Sequence, residues 1–258
     1  MVPYPEWLHV LAWVYIGICL ACSLGIAIHT LLRPQKMWIM GLVWPITALY
    51  MGPVAVAMYR KALPVMEKKP MTPRMKAIQE QYKDKPPTMF QNILAVYHCG
   101  AGCSIGDLIA ESIVPTLGLF FAGEFGSRLI LDFAFAYALG IAFQYFTIVP
   151  MRGLSFGQGI IAAVRADTIS ITLFEVGMFA WMAIVYYVFF PSPHLDLGLA
   201  VFWFMMQIAM IVGTATAVPA NAWLIRKGWK EKMPMVDPDQ MATAMKAAPY
   251  AQQVSRNA

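Results

Sequence analysis

The chain has 258 residues, of which 59% are hydrophobic and only 13% charged, with a net charge of +5. A water-soluble domain carries about a quarter of its residues as charges, so a soluble globular protein is excluded. The positive balance is not a nucleic-acid signal, because the basic residues sit in connections between apolar runs rather than on a polar domain.

Six apolar runs are long enough to cross hydrocarbon about 30 Å thick. In chain order they are Leu8–Leu32, Met37–Met58, Gln91–Phe121, Ser127–Val149, Gly159–Phe190 and Leu197–Leu224. None alternates as a barrel strand does, and backbone groups in lipid must bond within their own segment. The expected fold class is all-α: a polytopic membrane protein of about six transmembrane helices. The first run has no basic residue before it and is too long for a cleaved secretory signal, so it reads as a retained span.

Residues 1–60 hold the first two spans. The proline-rich segment 61–88 reads as a linker with one short amphipathic helix, since Thr72 and Pro73 suit a cap and first turn. Met71, Met75, Ile78 and Tyr82 follow at helical spacing. Residues 89–228 hold the last four spans, and residues 229–258 read as a disordered tail. The tail methionines Met233, Met235, Met241 and Met245 are of a type that captures a soft metal, but they read first as chance in a methionine-rich chain.

Basic residues divide unevenly. Eight lie in Arg60–Lys85, two (Arg152 and Arg165) between the fourth and fifth spans, and six in the tail, all on one side of a six-span arrangement. The positive-inside rule makes that side, with both termini, cytoplasmic. Arg33 and Lys36 fall on the opposite side with Arg128, a conflict the six-span reading leaves standing.

The third span carries YHCGAGCSIGDLIAE. Cys99, Cys103, Asp107 and Glu111 are each four residues apart and form one helical stripe, with His98 beside its first member. An ionisable group at such depth is expensive unless it is paired, protonated or facing water. Gly102 and Gly106 form a G-x-x-x-G for close approach of a neighbouring helix. Asp132 and Gln144 follow on the fourth span, Asp167 and Glu175 on the fifth, and Met206, Gln207 and Met210 on the sixth. The first two spans contain no such charges, and their Cys19 and Cys22 read as small apolar filler. The polar atoms therefore predict a four-helix core built from spans three to six.

HCGAGCSIGD, FQYFTIVPM, RADTISITLFEVGMF and FWFMMQIAM, followed by P-x-N-x-W-L-I-R-K-G-W-K-E-K-M, resemble a bacterial multi-pass membrane family known as domain of unknown function four-three-nine-six. The resemblance covers about Met89–Met233. It implies a shared site built from these motifs, in the bacterial inner membrane, and brings no activity with it.

Thiolate, thioether and imidazole together favour copper(I), then zinc. The expected function is binding and transport of a transition-metal ion, with His98, Cys99, Cys103, Met206 and Met210 as ligands. Asp107, Glu111, Asp132, Gln144, Asp167, Glu175 and Gln207 would line a proton or ion path. The alternatives are a membrane redox protein using thiols or a quinone, a proton-coupled solute carrier, and an assembly factor. Bis-histidine haem is disfavoured because only His98 of the four histidines sits in the expected core. No hydrolase triad, phosphate loop or H-E-x-x-H spacing occurs, which points away from an enzyme. The expected partners are the lipid bilayer and the metal ion, not nucleic acid, with oligomers or partner subunits left open.

Overall fold

The computed structural model describes residues 4–233 and 235–256, and among them it is all-α without strands. Five helices are long and apolar enough to cross a membrane. They are α1 (Glu6–Leu32), α5 (Met89–Leu117), α6 (Gly123–Arg152), α7 (Phe156–Ile184, prolonged by a π-turn at Val185–Phe189) and α8 (Ala200–Arg226). The polytopic helical fold expected from composition is therefore present. Helices α5, α6, α7 and α8 pack around one another as the predicted four-helix core, and α1 lies against α8.

The second apolar run differs from a simple span. It divides into α2 (Met40–Met51) and α3 (Pro53–Met66), broken at Gly52–Pro53. Gly52 has φ +51°, a region that favours glycine, and Pro53 has no N–H with which to prolong α2. The two helices fold back as a hairpin. Near its open end the Lys36 N–H donates to Met66 O at 2.9 Å, and the Lys68 N–H to Pro34 O at 3.0 Å. The turn lies deep in the molecule, since a Cβ added to Gly52 would sit 3.0 Å from Sγ of Cys19, the midpoint of α1. Irregular backbone at membrane depth survives only when buried in protein. Here Gln207 Nε2 of α8 donates to Leu49 O at 2.6 Å, and Tyr15 Oη of α1 donates to Tyr50 O at 2.9 Å.

The hairpin changes the topology. Tyr4 packs edge-on against Phe190 at one end of the bundle, while the carboxy-terminal helix α9 (Pro238–Arg256) packs on α3 and α4 (Pro73–Tyr82) at the other. Tyr4 and α9 thus lie at opposite ends, which corrects the expectation of both termini on one face. Arg33 and Lys36 join the linker and tail, and Arg33 pairs with Glu67 at 3.6 Å. Among the described residues Arg128 alone of the lysines and arginines remains at the Tyr4 end. The charge conflict disappears because the run thought to cross returns.

The tail is also not the free polymer its composition suggests. Thr88 Oγ1 donates to Asp237 at 2.5 Å, and Gln91 Nε2 to Met235 O at 2.6 Å. Lys232 Nζ bonds Tyr82 O and Lys85 O at 2.9 and 2.7 Å, and Lys61 pairs with Asp239 at 2.6 Å. Helix α4, capped by Thr72 as its sequence predicts, lies against α9.

Candidate functional site

Helix α5 is the axis of the core. A capping box between Thr88 and Gln91 starts it, and its stripe of Cys99, Cys103, Asp107 and Glu111 is buried throughout. The predicted G-x-x-x-G is a true crossing. A Cβ on Gly102 would stand 2.6 Å from the Gly140 Cα, and one on Gly106 2.4 Å from the Ala136 N, so α5 and α6 meet backbone to backbone.

Along α5 the polar groups form a line rather than a cluster. At the charged end, Lys230 forms a buried ion pair with Asp167 of α7. His98 Nδ1 lies 3.3 Å from Thr147 Oγ1, and Cys99 Sγ lies 3.4 Å from Ser170 Oγ. A cavity of about 20 Å³, lined in part by His98, Gln144, Thr147 and Lys230, opens there. One turn deeper Cys103 adjoins the Glu175 carboxyl. Next comes Asp107, within electrostatic range of Glu175, Asp132 and Glu111. At the Tyr4 end Arg128 reaches Glu111 at 3.5 Å and Glu124 at 2.8 Å. A second cavity, of about 30 Å³, touches Glu111, Arg128, Asp132 and Met206. Either cavity has room for a water. From Cys99 to Glu111 the line rises about 18 Å at 1.5 Å per residue.

The charges do not balance. Asp107, Glu111, Asp132, Asp167 and Glu175 are all buried, while among the described residues the core holds only Lys230 and Arg128 as cations. Among the described residues, neither oxygen of Asp107 has a hydrogen-bond partner, nor has Asp132 Oδ1, and the Glu175 carboxyl faces no partner but the Cys103 thiol. Buried polar groups are ordinarily satisfied, and an uncompensated buried charge is costly. These acids take protons, water or a cation from outside the protein.

The expected metal ligands do not share one shell. His98 turns to α6, Cys99 to Ser170 and Cys103 to Glu175, while Met206 lines the cavity at the far end. Met210 is half-buried at the margin of the apolar core. Among the described residues no three His, Cys, Asp or Glu side chains gather tightly enough to hold a metal ion. Gln207 leaves the line altogether, bonding the hairpin turn.

Lys230 was not foreseen, because it lies past the last apolar run. Its signal was the K-G-W-K sequence. Gly228, at φ +69°, ends α8, and the Trp229 N–H returns to Leu224 O at 3.0 Å. That turn carries Lys230 back among the helices. Burial alone would lower the lysine pKa, but the neighbouring Asp167 carboxylate holds it above its ordinary range.

The family match coincides with this core. The chain belongs to the family described as domain of unknown function (DUF4396), whose pattern matches residues 90–230 and so ends on the buried lysine. Comparison with curated proteins and with solved structures gives no match.

Proposed function

We propose that the α5–α8 bundle is the passage of a membrane cation carrier that exchanges its cargo for protons. One observation supports this above the others: Asp107, Asp132 and Glu175 form an acidic centre without hydrogen-bond partners for most of their oxygens. Such a centre alternates between protonated and cation-bound states without a net change in buried charge. A monovalent cation entering displaces one proton, and the proton leaves by whichever end is hydrated. The Lys230–Asp167 pair closes one end and the Glu111–Arg128–Glu124 chain the other, each beside a water-sized cavity.

The cargo class we favour is a transition-metal ion, copper(I) before zinc. Cys103 stands against Glu175, and Met206 lines the same cavity as Asp132 and Glu111, so soft atoms accompany the acids along the line. In this reading the sulfurs act as successive transit contacts rather than one resident site. Applied to the end that carries the basic residues, the positive-inside rule makes α9 cytoplasmic and Tyr4 external in a bacterial inner membrane.

The test is flux in proteoliposomes under an imposed pH gradient, reading internal pH together with uptake of copper(I), silver(I) or zinc. Wild type should acidify or alkalinise with cation movement. Asp107→Asn, which keeps shape and loses the titrating group, should lower both fluxes at least tenfold. Fluxes of wild type no greater than those of empty vesicles, for protons and every cation, would remove the proposal.

A further inference from the structure

At the basic end, outside the bundle, three separated stretches of chain enclose a cavity of about 100 Å³. The turn after α1 contributes Met37, and the end of α3 contributes Met66. Met71 comes from the approach to α4 and Met75 from α4 itself. Met233, Met235 and Met241 come from the folded tail. Seven of the eleven lining residues are therefore methionine, whereas a proportional share of the chain's 19 methionines is fewer than one.

Packing alone does not explain the concentration. Methionine fills irregular gaps well, yet here the gap remains open. Met66, Met233 and Met241 are buried while Met71, Met75 and Met235 are half-buried, which gives the cavity a dry floor and a wetter rim. Among the described residues the lining has no carboxylate, thiol or imidazole. Its one charged residue, Lys36, is tied by Nζ to Val65 O at 2.8 Å. A divalent ion would remain doubly charged against neutral ligands. A soft monovalent ion suits thioethers and leaves only a single charge to be solvated. The free volume exceeds a bare ion, leaves the flexible thioether arms room to close on one, and is too small for a lipid chain.

We propose that this methionine basket is a binding site for a soft monovalent cation of the copper(I) class, assembled when the tail docks on the linker. The site stands whether or not the bundle carries metal. The linker and tail supply ligands on separate strands of chain, and the bonds Gln91 to Met235 O and Lys232 to Tyr82 O hold them in register.

Silver(I), which is redox-inert, is the probe. Full-length protein in detergent, labelled with ¹³C at the methionine ε-methyls, is titrated with silver(I) against a competing ligand. Shifts are expected at Met66, Met75, Met233, Met235 and Met241. The triple substitution Met75→Leu/Met235→Leu/Met241→Leu preserves volume, so its melting temperature should stay close to wild type. Its silver affinity should fall roughly a hundredfold, because leucine supplies no soft ligand. Asp107→Asn should leave the basket affinity unchanged, which separates this site from the passage. Equal affinity of the folded triple variant and wild type would overturn the site. So would silver shifts confined to methyls outside the basket, or no silver binding by wild type.

Discussion

Helices α1 and α5 are nearly the same length, 27 and 29 residues, and both are long and apolar enough to span a membrane. Their mean hydropathies over the best window are 2.2 and 1.4, and the corresponding buried shares are 17% and 78%. The more apolar helix is the less buried one. In water the order runs the other way, because the interior is the apolar phase. In a bilayer the surroundings are at least as apolar as the protein, so polar groups retreat inward and the lipid-facing helix becomes the greasiest. Low hydropathy in a span therefore marks the buried axis of a bundle, and α5 is that axis here.

The contrast is sharpest in glycine. A Cβ on Gly106 of α5 would lie 2.4 Å from α6 backbone, while one on Gly17 of α1 meets nothing within 4 Å. Gly106→Leu should abolish recovery of folded protein in size-exclusion chromatography, and Gly17→Leu should leave it unchanged. Equal recovery of the two would break the comparison outright. Next in size is the buried ion pair. Lys230→Met leaves Asp167 alone in the core and should destabilise by about 3–5 kcal/mol. Opening the exposed Lys83–Glu80 pair by Lys83→Met should change stability by less than about 1 kcal/mol. Melting temperatures across the two variants read this directly.

The same lysine gives a pH dependence. Its folded pKa is raised above the unfolded value, so its stabilisation is complete below the ordinary lysine value of about 10.4 and is lost as pH climbs through the higher folded one. Wild type should lose stability in that alkaline window more steeply than Lys230→Met. Parallel profiles would remove the ion pair as the cause. An effect well below that of the buried pair belongs to the hairpin turn. Tyr15→Phe removes one hydrogen bond to Tyr50 O and should lower stability by about 1 kcal/mol, with cation flux retained. A loss of flux without a loss of stability would make the turn part of the passage.

Much of the bundle was legible because its periodicities are local. The four-residue spacing of Cys99, Cys103, Asp107 and Glu111 and the Gly102–Gly106 pair need only helix geometry to interpret, and both hold. The hairpin was not legible, although Gly52–Pro53 stood in plain view. Hydropathy over Met37–Met58 is the same whether the chain crosses or returns. The decision rests on partners such as Gln207, distant in sequence. Lys230, and the gathering of Met37, Met66, Met71 and Met75 around the tail methionines, escaped for a related reason. Composition describes the tail as polar and loose, but its order comes from contacts with Thr88, Gln91 and Tyr82.

The hairpin also sets an order of events during synthesis. Its turn exposes backbone carbonyls at membrane depth, and the donor for Leu49 O is Gln207, 158 residues later in the chain. A ribosome making this protein completes α5, α6, α7 and the first two turns of α8 before that donor exists. Until then Leu49 O lacks that partner, and a carbonyl without one is costly within hydrocarbon. The hairpin is encoded second but completed only from α8, so a variant that delays α8 is expected to leave the amino-terminal region as the exposed part of the nascent chain.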